Sequence, residues 1–402
     1  MISQPYPDLT LEQRFCRNAA LGLLRGLKHG RLTILEGGER VELGPVGGRS
    51  VNLVIHDGRA WPKLLFGGSI GMAEAYMEGY WESDQLTALV ALFARNLALL
   101  DRLEARFGWL LSLGHKVGHW RRHNSRANAR KNIAAHYDLS NDFYRLFLDK
   151  TLLYSSALWR DAQTLEEAQK NKMERLCQQL QLGPEDHLLE IGTGWGALAI
   201  YAAQHYGCRV TTTTLSQAQY EVAESRIAEA GLQDRITLLL KDYRDLEGEY
   251  DKIVSVEMVE AVGERYLKGY FQVLQQRLKP GGRLALQAIT IADQRYDSYR
   301  RSTDFIQTYI FPGGFLPCVR VLGELLASET QMVMRDLTDI GLDYGRTLGH
   351  WLQRFDAQLG RVKTLGFDDR FIRLWRFYFC YCQAGFETRR ISAVQLTAEK
   401  VE

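Results

Sequence analysis

The chain has 402 residues, 46% of them apolar and 24% charged, with a formal net charge of +2. That composition excludes disorder and supports a sizeable core, the length asks for two domains rather than one, and the near balance of charge argues against nucleic acid as a partner. The six cysteines (Cys16, Cys177, Cys208, Cys318, Cys380 and Cys382) are scattered, without CxxC spacing or a histidine at finger-like distance, which fits a reducing cytoplasm and leaves no metal site expected.

In chain order, the opening "MISQPYPDLTLEQRF" lacks the basic start and apolar core of a secretory signal. Three β-rich runs between glycine-rich turns, "RLTILEGGERVELGPVGGRSVNLVI" at 31–55, predict a small antiparallel sheet with helices around it. Next, "MAEAYMEGYW" gathers Tyr76, Met77, Tyr80 and Trp81, a cluster that reads either as core or as a lipid-facing surface. The most apolar stretch, "LTALVALFARNLALL", is broken by Arg95 and Asn96 short of the ~20 residues a membrane span needs. Then "HKVGHWRRHNSRANARKN" carries Lys116, Arg121, Arg122, Arg126, Arg130 and Lys131 without one acid. It reads as a linker at 115–130, between an N-terminal lipid- or membrane-associated α+β domain at 1–114 and a larger catalytic domain at 131–402. The same run suits an anionic membrane surface, at ~1 kcal/mol per basic residue.

Beyond it, "HLLEI", "CRVTTTTL", "RITLLLKD", "DKIVSVEM", "GRLALQAIT" and "QMVMRDLTDI" predict six strands separated by amphipathic helices. That pattern is an α/β, doubly wound sheet, whose ligands sit beyond the strand carboxyl ends. Glu190, Gly192, Gly194 and Gly196 spell E-x-G-x-G-x-G after the first of these strands. A dinucleotide fingerprint would be G-x-G-x-x-G with an acid closing the second strand, which here ends "TTTTLS". The tighter glycines and missing acid favour a ligand without pyrophosphate, S-adenosylmethionine, over a purely structural turn. Leu215, Ser216 and Gln219 of "TLSQAQ" and Asp242 and Tyr243 of "KDYRDL" fall on the same edge of the sheet, the latter pair where adenine could bond.

Upstream lies "NIAAHYDLSNDFYRLFLDKTLLYSSALWRD", and with "LLEIGTGWG", "TLSQAQ", "YIFPGGFLP" and "CQAGFETRRI" the chain from about Asn132 to Ile391 resembles the cyclopropane-fatty-acyl-phospholipid synthase family. The resemblance implies an S-adenosylmethionine-dependent methyltransferase fold and methyl transfer to the cis double bond of an unsaturated phospholipid acyl chain. Proton loss and closure to a cyclopropane would follow, at the cytoplasmic face of the membrane. It adds Tyr154 and Ser155 of "LLYSSAL" to the cofactor contacts and makes Glu260 the active-site glutamate, with Tyr137, Tyr344 and Cys382 as further candidate catalytic residues. An alkene is a feeble nucleophile, so the methyl donor must be held in line with it in a dry pocket, where a carboxylate or ring face lowers the energy of the cation formed. For Cys382, the apolar "RFYFCYCQAGF" around it argues instead for an inert packed thiol.

The resemblance also implies bicarbonate as proton acceptor, on a site that carries over to Ser156, Glu260, Gln287, Ile289 and Tyr344. Ser156 and Gln287 stand where the family has cysteine and histidine, and Ala261 where histidine follows the glutamate. These departures put ring closure in question, so a methylene- or methyl-branched or furan-precursor chain is the alternative product and a non-catalytic lipid binder the second alternative. A homodimer and a redox partner stay open.

Overall fold

Residues 9–47, 50–99 and 139–401 are described by the computed structural model, and they divide into two units. Tyr137 and the basic run at 115–132 lie outside the described residues.

The first unit takes residues 9–99 together with Ser302–Ile310 and Leu359–Arg390. The sequence reading placed those last two segments in a contiguous domain at 131–402. In the unit's sheet, β1 (Arg31–Glu36), β2 (Glu39–Leu43), β3 (Ser50–Ile55) and β4 (Trp81–Glu82) lie in the order β2-β1-β3-β4. The β1–β2 hairpin turns through Gly37 and Gly38, both at positive φ, as a two-residue hairpin turn requires. The sheet is mixed rather than antiparallel, because β3 crosses to the far side of β1 and pairs with it in parallel. Alternating burial shows which face is inside but not which way a neighbour runs.

The aromatic cluster resolves to core. Tyr76 and Trp81 are buried 5.0 Å apart, and both rings meet Phe377 of the helix Asp369–Glu387. Arg373 of that helix donates to the Tyr76 and Trp81 carbonyls.

The second unit is built on seven strands, β5 (His187–Ile191), β6 (Arg209–Thr213), β7 (Ile236–Leu239), β8 (Tyr250–Val256), β9 (Leu278–Ile291), β10 (Met332–Asp339) and β11 (Ile391–Lys400), in the order β10-β11-β9-β8-β5-β6-β7. The pairs from β9 across to β7 are parallel, whereas β11 runs antiparallel between β9 and β10. All six predicted strands form; β11 is the one the sequence reading missed.

Both faces of the sheet are covered, as parallel strands require. Leu189, Ile253, Leu284 and Leu286 point to one face, against Tyr270, Phe271 and Leu274 of the helix Leu267–Arg277. Their chain neighbours Leu188, Val254 and Ala285 point to the other, against Met173, Leu176 and Leu180 of the helix Leu165–Leu180 and Leu198 and Ala202 of the helix Ala197–Tyr206. The connections leave β5 toward β6 on one side and reach β8 on the other, so a crevice opens beyond its carboxyl end. Among the described residues no helix is long and apolar enough to cross a membrane.

Candidate active site

The glycine loop begins where β5 ends. Gly194 has φ +53, and a Cβ placed on it would meet nothing within 4 Å, so the backbone there borders open space that a ligand could fill. Gly196, at φ +87, caps the helix Ala197–Tyr206 without a side-chain bond, and a Cβ on it would come within 3.3 Å of the Ala223 Cβ. One glycine thus serves approach from outside and the other close helix packing, and the helix's first N–H groups are left for an incoming acceptor.

Glu190 is buried at the end of β5, accepting from the Thr212 hydroxyl at 2.6 Å, and burial pushes its carboxyl up to about 8. Past β6, Ser216 caps the helix Gln217–Glu229 by accepting from the Gln219 N–H, the Thr214 hydroxyl donates to Gln219 Oε1 at 2.9 Å, and Leu215 is half-buried. Past β7, both Asp242 carboxylate oxygens accept from the Arg244 guanidinium, at 2.8 and 2.6 Å, and Tyr243 lies beneath that guanidinium. Tyr154 stands among rings, its centroid 5.3 Å from both Tyr144 and Trp351. Tyr144 is in turn 5.1 Å from Trp195 of the glycine loop. These residues fit S-adenosylmethionine: open backbone at Gly194, a buried acid at Glu190 and an aromatic wall beside them.

Glu260 sits on the short turn Val259–Ala261 after β8. One of its carboxylate oxygens accepts from the Ile289 N–H, while Oε2 is enclosed and has no hydrogen-bond partner among the described residues. Burial first, and then the charge of Glu257, push Glu260 up to about 8.

The second carboxylate, Glu257, is a residue the sequence reading missed. Its Oε1 accepts from the Ser156 backbone N–H and from Gln287 Nε2, both at 2.8 Å, and its Oε2 from the Tyr344 hydroxyl at 2.7 Å. Burial also raises its carboxyl, against those three bonds and the charge of Lys172. Lys172 is 1% exposed, donates to the Ser155 hydroxyl at 2.6 Å, and is pulled down to about 8 by burial, with Glu257 and Asp149 resisting.

The five residues expected to hold an anion therefore do come together, but around two carboxylates of the chain itself. Ser156 takes part through its backbone N–H, since its hydroxyl donates to the Ala157 carbonyl. The charge of Glu257 disfavours ionisation of Glu260, adding to the effect of burial. Three donors and the charge of Lys172 favour the ionised form of Glu257, whereas Glu260, pushed up to about 8, favours its protonated form near neutral pH. Both residues retain some exposed surface, as groups bordering a ligand space do.

A pH dependence follows. Glu190 and Glu260 titrate near 8 in the fold but near 4.3 in an unfolded chain, so the folded state binds the extra protons and stability falls as pH rises from about 5 to 8. Glu260→Gln removes one such group. Denaturant unfolding across that range should show a slope flatter by up to ~1.4 kcal/mol per pH unit than the wild type's; an unchanged slope would contradict this protonation state.

Cys382 belongs to the first unit, on the helix Asp369–Glu387, and burial pushes its thiol well above the usual range. A thiol that does not ionise is a poor nucleophile, which weighs against the catalytic role. Cys382→Ala is expected to turn over lipid at the wild-type rate with wild-type S-adenosylmethionine binding; lost activity in a folded variant would restore the nucleophile.

The family model for mycolic acid cyclopropane synthetase matches residues 124–396. The tuberculostearic acid methyltransferase of Mycobacterium tuberculosis is 40% identical over 82% of this chain and 78% of its own length. The cyclopropane-fatty-acyl-phospholipid synthase of Escherichia coli strain K12 is 37% identical over 83% of this chain and 84% of its own. Among solved structures, a mycolic acid cyclopropane synthase complexed with SAH and CTAB superposes with a TM-score of 0.63 at 29% identity, covering 67% of this chain and 98% of that one.

Proposed function

The chain belongs to the mycolic acid cyclopropane synthetase family, an S-adenosylmethionine-dependent lipid methyltransferase, and from that premise we propose that it methylates the cis double bond of an unsaturated phospholipid acyl chain and closes the added carbon into a cyclopropane. When bound, S-adenosylmethionine supplies an electrophilic methyl group. Gly194, Glu190 and Gln219 line the carboxyl edge that would hold it, and Tyr154 and Trp195 contribute apolar wall that keeps water from the cation.

The observation that carries the reading is the carboxyl pair Glu257 and Glu260 at the carboxyl end of β8, with a donor on every oxygen except Glu260 Oε2. Two buried carboxyl groups held by these donors can place negative charge beside a cation as it forms, which is where preorganised electrostatics lowers a barrier most. The basic run at 115–132 supports an anionic bilayer at the cytoplasmic face as the place where the acyl chain is met.

A second reading is methyl transfer without ring closure, giving a methylene- or methyl-branched chain, which the likeness to a tuberculostearic acid methyltransferase favours. After methyl transfer, a hydride shift moves the cation to the methyl-bearing carbon, and loss of a methyl proton then leaves a methylene (C=CH2) branch. Both readings need a base at the same methyl group. Incubation with S-adenosylmethionine and vesicles of defined unsaturated phospholipid, followed by mass spectrometry, should show chains heavier by one CH2. A product that resists mild catalytic hydrogenation is the cyclopropane, one that takes up hydrogen is the methylene chain, and no mass gain contradicts both.

A further inference from the structure

We propose that the carboxylate of Glu257 supplies, from within the chain, the oxyanion that takes the proton from the transferred methyl group, so that no dissolved anion is needed. This rests on the alkene methylation proposed above and deepens it by naming the base.

Three donors converge on this one carboxylate. The Ser156 N–H and Gln287 Nε2 both reach Oε1 at 2.8 Å, and the Tyr344 hydroxyl reaches Oε2 at 2.7 Å. A backbone amide, a side-chain amide and a phenol, all neutral, form the kind of cradle that a small planar oxyanion selects. Here a side chain fills it. The cradle is also oriented: Gln395 Nε2 donates to Gln287 Oε1 at 2.9 Å, so the Gln287 amide is turned with its NH2 toward Glu257. Charge is balanced by Lys172, buried on the neighbouring helix, for which Glu257 is the foremost attracting group.

The backbone gives a second, independent indication. Glu257 is a non-glycine residue at φ +50, one position beyond the end of β8. The left-handed conformation is disfavoured for a residue with a Cβ, and such outliers persist where surrounding structure holds them in place. At this position the turned backbone delivers the carboxylate into the cradle.

The step balances. The C–S bond breaks with its electron pair left on sulfur, the methyl carbon bonds to one alkene carbon, and the other alkene carbon becomes cationic. Glu257 accepts one methyl proton, and the electron pair of that C–H bond closes the ring or, after the hydride shift, forms the methylene double bond. The protonated carboxyl then releases its proton to solvent. A base fixed in the chain acts at a far higher effective concentration than a dissolved ion.

The test uses the full-length protein, phospholipid vesicles and S-adenosylmethionine in buffer stripped of carbon dioxide, with and without added bicarbonate, plus equilibrium dialysis of labelled bicarbonate against the lipid-free protein. Wild type should turn over equally in both buffers and retain no bicarbonate. Glu257→Gly, whose backbone suits φ +50, should lose at least ~100-fold in stripped buffer, bind bicarbonate, and regain at least ~10-fold when it is added. Glu257→Gln, which fills the cradle with an amide, should be inactive in both buffers while still folding and binding S-adenosylmethionine. Wild type that binds bicarbonate and needs it, or an active Glu257→Gln, overturns the inference and leaves the function standing. Wild type that makes no methylated lipid in either buffer overturns both.

Discussion

Glu260→Gln is expected to lower methylated-lipid formation by at least ~100-fold while S-adenosylmethionine binding stays at the wild-type level. Glutamine preserves the volume and an acceptor for the Ile289 N–H, so the fold around β9 keeps its bond. What it removes is the ability to lose a proton and develop charge beside the forming cation. Glu260 is pushed up mainly by burial, which a neutral amide does not suffer, so the variant should melt no lower than the wild type near pH 8. Lipid mass spectrometry together with isothermal titration of S-adenosylmethionine checks the split; turnover within a few-fold of wild type would mean that Glu260 only packs.

Gly194→Leu should have the opposite signature, with a folded protein that no longer binds S-adenosylmethionine. The side chain would enter space where nothing of the protein lies within 4 Å, so the fold meets only the cost of a Cβ at φ +53, about 1–2 kcal/mol. Leucine would then occupy the place where the ligand approaches the backbone, and affinity should fall by more than ~100-fold, equivalent to about 2.7 kcal/mol. A variant that binds S-adenosylmethionine as the wild type does would move the cofactor away from this loop. Gly196→Leu is the contrast, because its Cβ would press on Ala223 and lower stability as well.

Features carried by neighbouring residues were legible in the sequence. The E-x-G-x-G-x-G turn and six strands of the larger sheet are local patterns of apolar runs and glycines, and each is found in its expected place; Glu260 was named through the family resemblance, and it follows β8. β11 escaped because "ISAVQLTAEK" follows a long helix and is pinned only by pairing with β9 and β10. The parallel pairing of β1 with β3 was hidden for the same reason: strand direction is set by partners, not by alternation.

The site was half legible. The family resemblance implied an anion site at Ser156, Gln287 and Tyr344, but the structure places the carboxylate of Glu257 among them. Two signals were present: a second acid three residues before Glu260 at the end of an apolar strand, and Lys172 in the buried stripe of the helix Leu165–Leu180, between Ala168 and Leu176. A lysine there is rarely left without a counter-charge. Asp242 offered a simpler signal, for an arginine two residues on can fold back onto it, as Arg244 does.

The most direct test of the account is isotopic. With S-adenosylmethionine carrying a fully deuterated methyl group and cis-unsaturated phospholipid vesicles, the product chain should retain two of the three deuterons, since the chain's carboxylate removes one from the methyl group whether a ring or a methylene double bond results. Retention of all three would show methyl transfer without loss of a methyl proton and would contradict the carboxyl pair as the centre of the reaction.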